Sequence, residues 1–347
     1  MKSVKYLTAY IIPVLCIFGL LQGGIAAYAT VVFSFGLIPL LEQFLPQDTS
    51  NLPEEERNDR LARKVFDWLL YLNVPLVFGI ICLFIYQLNT QDYTTSELTG
   101  HVLSVGIVLG VCGINVAHEL GHRSNKVEQT LAKILLLPTL YQHFFIEHNR
   151  GHHKHVATPL DPATARKGEI VYTFWFRSLW GSYRSAWRLE RDRLQRSKLP
   201  FWSFQNEMVR FSIQQLIYVA LVFALTPSWQ MALAVLTAGL IGVLLLESIN
   251  YVEHYGLQRR LLDNGRYERV QPRHSWNANY HLGRIMLYEL TRHSDHHYLA
   301  NKKYQILDHH EQAPVLPLGY PASILMALVP PLWLVVMDRR LEEVGVA

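Results

Sequence analysis

Long apolar runs alternate with polar segments along the chain, and they predict membrane-spanning helices. No formal charge occurs between residues 6 and 41. As one helix this run would be about 54 Å long, whereas the hydrocarbon core of a bilayer is about 30 Å thick. The run must therefore fold back, and Gln22-Gly23-Gly24 is the natural break because paired glycines interrupt a helix. The first run thus supplies two spans.

Four further apolar runs complete a predicted all-α integral membrane fold with six transmembrane helices. The predicted spans cover about residues 6–22, 25–41, 65–88, 101–122, 209–225 and 231–250. The regions 123–208 and 251–347 are predicted to form a histidine-rich cap, and the chain 1–347 a single membrane domain. The last apolar run, 315–337, is not counted, because four prolines interrupt it and a crossing would export Arg339 and Arg340. A re-entrant or interfacial segment is predicted there.

The distribution of charge predicts the orientation of these spans. If the N-terminus is cytoplasmic, the outer loops are 22–24, 89–100 and 226–229, which contain no lysine or arginine. All thirty-two basic residues then lie on the inner side, as the positive-inside rule requires. Both termini and the histidine-rich cap are therefore predicted to be cytoplasmic. A content of 50% hydrophobic and 17% charged residues agrees with a membrane part joined to a substantial water-exposed part.

Histidine is concentrated in three short motifs and one single position on the predicted inner side. Imidazole is the commonest protein ligand of transition metals, and a helix places rings at i and i+4 on one face. Nine nitrogen ligands are more than one ion uses, so we predict two metal ions sharing them. Iron, copper and zinc all suit such ligands. The predicted ligands, which are also the predicted catalytic residues, are His118, His122, His148, His152, His153, His254, His293, His296 and His297.

Carboxylates near these motifs are candidates for orienting the ligating imidazoles, a common arrangement around metal sites. Glu247, inside the sixth predicted span, is either functional or a helix-end carboxylate that reaches the interface. The candidates for orienting imidazoles are Glu119, Asp161, Glu253 and Asp295. His101 lies on the predicted outer side, away from the site. The other histidines are predicted to be surface or hydrogen-bonding residues, namely His143, His155, His274, His281, His309 and His310.

The first motif also spells H-E-x-x-H, in which two histidines bind zinc and the glutamate activates water. An intramembrane zinc metalloprotease is therefore an alternative, although it would leave six clustered histidines unused. A soluble-type di-iron carboxylate bundle needs two Glu-x-x-His pairs, and only Glu119–His122 matches, which excludes it. The chain has no G-x-G-x-x-G motif and no CxxC pair, so a redox reaction would take its electrons from a separate protein.

The four motifs, in this order, resemble the histidine boxes of the integral-membrane alkane monooxygenases, within the wider membrane fatty acid desaturase and hydroxylase superfamily. The first motif of that family often ends in lysine, where this chain has Arg123. The resemblance extends from the first span to about residue 337. It is carried by the segments His118-Glu119-Leu120-Gly121-His122, Glu147-His148-Asn149-Arg150-Gly151-His152-His153, Asn250-Tyr251-Val252-Glu253-His254-Tyr255-Gly256 and Arg292-His293-Ser294-Asp295-His296-His297.

The resemblance implies a bacterial inner-membrane enzyme with two non-haem iron ions bound by the nine histidines. It implies O2-dependent hydroxylation of the terminal methyl group of medium- or long-chain n-alkanes to 1-alkanols. It also implies rubredoxin as electron donor, rubredoxin reductase and NADH upstream, a lipid environment and no nucleic acid partner. Related membrane enzymes act on methyl-aromatics or fatty acyl chains, so these substrates are alternatives. One basic segment either forms a docking face for an acidic donor or only reflects the positive-inside distribution of charge, and it contains Arg177, Arg184, Arg188, Arg191, Arg193, Arg196 and Lys198.

Overall fold

The computed structural model describes residues 3–345, which contain helices and isolated bridges but no β-strand. The prediction of one domain over 1–347 stays a prediction, and its residues 1–2 and 346–347 lie outside the described part. In chain order the helices are α1 (Val4–Gln22), α2 (Gly24–Glu42), α3 (Glu54–Ala62), α4 (Val65–Thr90), α5 (Thr95–Gly121), α6 (Lys126–Leu135), α7 (Phe144–Glu147, continued by His148–His152 and His153–His155), α8 (Val171–Arg196), α9 (Glu207–Leu225), α10 (Trp229–His254), α11 (His281–Met286), α12 (His293–Tyr298), α13 (Tyr320–Ala327) and α14 (Pro330–Glu343).

Six helices are long and apolar enough to cross a membrane, which confirms the predicted number of spans. They are α1, α2, α4, α5, α9 and α10. Helix α5 begins at Thr95 rather than at the predicted residue 101. The reason is a capping box, in which the Thr94 hydroxyl accepts from the Glu97 N–H and the Glu97 carboxylate accepts from the Thr94 N–H. This polar first turn lies outside the apolar run.

The predicted breaks at glycine and proline are confirmed. Gly23 and Gly24 separate α1 from α2 with φ of +65° and +56°, in the left-handed region that favours glycine. The Gly24 N–H donates to the Glu97 carboxylate at 2.8 Å, which ties this turn to the start of α5. Near the C-terminus, α13 and α14 are bent by 119° at a break that Pro330 follows directly.

Contacts within the chain divide it into two compact units. Unit 1 contains Met1–Leu37, Val65–Ile146 and Ala186–Leu246. Its central helix is α5, in which 83% of the apolar 18-residue segment is buried. In α9 the corresponding share is 17%. Glycine allows this helix to approach α10 closely, because a Cβ on Gly106 would lie 2.6 Å from the Ile241 side chain.

Unit 2 contains Ile38–Lys64, Glu147–Ser185 and Glu247–Ala347. Its loops are held around α12 by hydrogen bonds between residues far apart in the sequence. The Asn277 amide donates to the Ser294 hydroxyl at 2.8 Å and accepts from the Ser294 N–H at 2.9 Å. The buried Arg292 guanidinium donates to the Leu307 carbonyl at 2.6 Å. The N-terminal end of helix α12, which carries the third histidine motif, is therefore held in place.

Candidate metal centre

Seven of the nine predicted ligands lie in unit 2, where they form one cluster. They come from three segments: the turns that follow Glu147, the last residue of α10, and helix α12. All are buried except His153, which is half-buried. The seven are His148, His152, His153, His254, His293, His296 and His297. A cluster of this kind brings together the nitrogen ligands that transition metals prefer.

Four of these residues, His152, His254, His293 and His297, form what we call the four-histidine group. The Nε2 atom of His297 lies 2.8 Å from that of His293 and 3.2 Å from that of His152. The Nε2 atoms of His293 and His254 are 3.2 Å apart. Nitrogen atoms that converge in this way, away from solvent, need a cation or a shared proton between them. This geometry fits a metal ion bound by four imidazoles.

Three more residues, His148, His153 and His296, form what we call the three-histidine group. The Nε2 atom of His153 lies 3.1 Å from that of His148 and 3.1 Å from that of His296. A π-type turn brings the first two together, because the His153 N–H donates to the His148 carbonyl across five residues. Single turns of this type often occur at functional sites.

Histidines that are neighbours in the sequence belong to different histidine groups. His152 belongs to the four-histidine group and His153 to the three-histidine group, and the same is true of His297 and His296. The rings of His153 and His297 stack with their centroids 4.4 Å apart. The two groups are therefore in direct contact inside unit 2.

The remaining two predicted ligands lie in unit 1. His118 is in the last turn of α5, and His122 directly follows the end of this helix. Their ring centroids are 4.9 Å apart, as expected for i and i+4. Between them, the Glu119 carboxylate forms an ion pair at 2.7 Å with the buried Arg123 guanidinium, which also donates to Asp67 at 3.1 Å.

Asp161 fixes the orientation of one imidazole in the four-histidine group. Its Oδ2 atom lies 2.9 Å from Nδ1 of His152 and accepts from the Thr164 hydroxyl at 2.6 Å. Burial would raise the pKa of Asp161, but the neighbouring His152 holds that pKa below its ordinary value. An ionised carboxylate at Nδ1 keeps the proton on this nitrogen, which leaves Nε2 of His152 as the ligand atom.

The other candidate carboxylates have different partners. Glu253 Oε2 lies 3.1 Å from Nε2 of His293. Asp295 binds Lys302 at 2.6 Å and His310 at 2.7 Å, and it contacts no predicted ligand ring in the described part of the chain. Its contacts hold α12 against the loop that follows this helix.

Sequence reasoning overlooked Glu147, a buried carboxylate that directly precedes the second motif. Burial, and after it the negative charge of Asp161, raises the pKa of Glu147 to about 8. The Ser185 hydroxyl donates to this carboxylate, and Glu247 is also close enough to raise its pKa. The one signal in the sequence was its position next to His148.

Electrostatics act differently on two histidines of the cluster. Burial would lower the pKa of His152, but the neighbouring Asp161 carboxylate raises it above its ordinary value. Burial, followed by repulsion from neighbouring histidines, holds the pKa of His297 well below its ordinary value.

Outside the cluster, His101 is buried against Tyr93, with ring centroids 4.9 Å apart, and His274 accepts from the Gln271 N–H. These two are hydrogen-bonding or packing residues rather than surface ones.

Six apolar helices and a buried cluster of seven histidines define a helical membrane protein with the ligands of a metal centre. The fatty acid desaturase family profile matches residues 97–326. The alkane 1-monooxygenase 2 of Pseudomonas aeruginosa is 42% identical over 89% of this chain and 82% of its own length. The alkane 1-monooxygenase of Pseudomonas putida is 40% identical over 88% of this chain and 76% of its own length.

A third relative is the hydroxylase component of the xylene/toluene monooxygenase of Pseudomonas putida. It is 28% identical over 98% of this chain and 89% of its own length. The chain therefore belongs to the alkane 1-monooxygenase family, within the wider fatty acid desaturase family, and is an oxygenase.

Proposed function

We propose that the protein hydroxylates the terminal methyl group of medium- or long-chain n-alkanes at a di-iron site, with rubredoxin as electron donor. The observation that carries this proposal is the convergence of seven histidines in two contacting groups, in a chain similar to alkane 1-monooxygenases. The reaction would be RH + O2 + two electrons + two protons giving ROH and water. We further propose that His118 and His122 complete a set of nine ligands.

The residues of unit 2 fit such a metal pair. Each group offers converging imidazole nitrogen atoms, and Asp161 holds the His152 ring with Nε2 toward the other histidines. Iron bound there would supply the activation of O2 that breaks an unactivated C–H bond. The protein would contribute burial, which excludes water, and fixed imidazole orientations.

An alkane has no group that can form hydrogen bonds, so the protein must position it by shape alone. Six apolar helices give such a substrate a route from the bilayer, into which it partitions. We propose that the alkane enters among these helices and presents its terminal methyl group to the metal ions. Methyl-aromatic compounds are the second candidate substrates, because of the similarity to the xylene/toluene monooxygenase component.

Electrons are proposed to arrive from rubredoxin at the cytoplasmic face of the inner membrane. Five of the predicted basic docking residues are exposed, namely Arg184, Arg188, Arg191, Arg196 and Lys198. The other two are engaged in ion pairs, Arg177 with Glu169 and Arg193 with Glu190. Exposed arginines suit an acidic donor through electrostatic steering, which predicts turnover that falls as ionic strength rises.

The metalloprotease alternative would require Glu119 to activate water. Its carboxylate instead forms an ion pair at 2.7 Å with the buried Arg123, so it has a structural partner. A peptidase would also leave six of the seven clustered histidines of unit 2 without a role, because it needs only one ligand besides His118 and His122.

Two measurements test the proposed function. Metal analysis of the purified protein should find about two irons per chain, whereas one zinc would support a peptidase. The protein should convert octane to 1-octanol with rubredoxin, rubredoxin reductase and NADH. Parallel assays with p-xylene and a fatty acyl substrate separate the alternatives, and product from p-xylene alone would contradict the alkane assignment.

A further inference from the structure

Glu253 approaches the four-histidine group on the side where the ligand atoms converge. Its Oε2 atom lies 3.1 Å from Nε2 of His293. This is the same nitrogen that lies 2.8 Å from Nε2 of His297 and 3.2 Å from Nε2 of His254. The carboxylate oxygen is therefore next to the atoms that would bind a metal ion.

The position of Asp161 provides a contrast. Asp161 contacts Nδ1 of His152, on the opposite edge of that ring from its ligand atom. A carboxylate at Nδ1 orients an imidazole through the nitrogen that does not bind the metal. A carboxylate at Nε2 instead competes for, or shares, the cation that the imidazole binds. The two acids thus have different roles at the same group.

A tyrosine holds the second oxygen of Glu253. The Tyr320 hydroxyl donates to Glu253 Oε1 at 2.6 Å, and both side chains are about 1% exposed. Tyr320 is the first residue of α13, in the bent helical pair near the C-terminus. Within residues 3–345, Glu253 has no ion pair with lysine or arginine. A buried carboxylate without a cationic partner is costly, and a bound cation would remove that cost.

We propose that Glu253 Oε2 is an oxygen ligand of the metal ion in the four-histidine group, and that Tyr320 is the positioning residue that aims it. The inference rests on the proposed function for the identity of that metal as iron. Four imidazole ligands bring no negative charge into direct contact with a divalent ion, because Asp161 contacts only the far nitrogen of His152. One carboxylate reduces the net charge and makes the site a mixed nitrogen and oxygen site.

Three conservative variants of the full-length protein test this proposal. Glu253→Gln keeps the shape and removes the charge, and Tyr320→Phe removes only the hydroxyl. Tyr280→Phe is the matched control, because the Tyr280 hydroxyl donates to the Pro317 carbonyl at 2.7 Å and anchors the segment that leads to α13. The measurements are metal content, the rate of metal release to a chelator, and the Mössbauer spectrum of the iron-loaded protein.

For Glu253→Gln we expect one of the two irons to be released about 10- to 100-fold faster, with a change in one component of the Mössbauer spectrum. Tyr320→Phe should shift the same component with faster release, and Tyr280→Phe should match the wild type. An unchanged spectrum and release rate in Glu253→Gln would overturn the assignment of Glu253. Equal effects of Tyr320→Phe and Tyr280→Phe would overturn that of Tyr320.

The proposed function is tested separately, by the metal content of the wild-type protein. Fewer than two irons, or zinc in their place, would contradict the di-iron proposal. The comparison of release rates between Glu253→Gln and wild type still tests the ligand role of Glu253 with the metal that is found. The two proposals can therefore fail independently.

Discussion

The Asp161 carboxylate lies 2.9 Å from Nδ1 of His152, and the two side chains are buried together. The contact joins residues nine positions apart in a loop region. It determines which nitrogen of His152 carries the proton, and therefore which nitrogen can bind a metal.

Replacing Asp161 by asparagine should weaken metal binding without removing a ligand. The amide is a poorer acceptor for the His152 N–H, so we expect an affinity about 10- to 100-fold lower. Competition with a chelator measures this affinity. The exposed Asp263 offers a control, since Asp263→Asn should leave affinity unchanged. Wild-type affinity in Asp161→Asn would mean that the contact does not orient the ligand.

His254→Ala should remove one metal ion and abolish alkane hydroxylation, although His254 lies outside the three motifs. The reason is the 3.2 Å approach of its Nε2 atom to that of His293. Iron content and octane turnover measure the effect. His274→Ala, at a buried histidine outside the cluster, should retain both irons. Full turnover in His254→Ala would remove this residue from the ligand set.

The ion pairs of Arg123 should contribute strongly to the stability of unit 1. Arg123→Met removes the guanidinium that binds Glu119 and Asp67, at a cost of about 3–5 kcal/mol in the free energy of unfolding. Arg123→Lys keeps the charge and should retain most of the stability. Denaturant unfolding in detergent measures the difference. Arg63→Met breaks an exposed pair with Asp59 and should cost less than about 1 kcal/mol.

The close approach of α5 and α10 should be sensitive to a single methyl group. Gly106→Ala places a Cβ 2.6 Å from the Ile241 side chain and 3.0 Å from the Ala238 carbonyl. We expect a loss of about 1–3 kcal/mol in the free energy of unfolding. Gly79→Ala has nothing within 4 Å of the new Cβ and should be neutral or slightly stabilising. Equal effects of the two changes would show that helix contact is not the cause.

Hydropathy was sufficient to predict the six spans, because a bilayer requires long apolar helices whatever their partners are. It was insufficient for the start of α5. There the Thr94 and Glu97 side chains extend the helix into a polar segment, which hydropathy treats as loop. The proline-rich run 315–337 was correctly predicted to break, since proline cannot continue a helix.

The grouping of the histidines could be predicted, because metal ligands often lie in short motifs, and the structure brings the predicted residues of unit 2 together. Two of the predicted carboxylates, Asp161 and Glu253, contact these histidines, whereas the tyrosine that contacts Glu253 was not predicted. Tyr320 and Glu253 are 67 positions apart, and neither belongs to a pattern that links them. Glu147 was overlooked because a glutamate beside a histidine motif resembles any surface acid until its burial is known.

The paired histidines have a consequence for the spacing of the metal ions. His152 and His153 serve different groups, as do His296 and His297, so two peptide units join the two groups covalently. Two ions held by these groups would then be kept close to each other by the backbone itself. Insertion of one residue within either pair would therefore disrupt both ions at once.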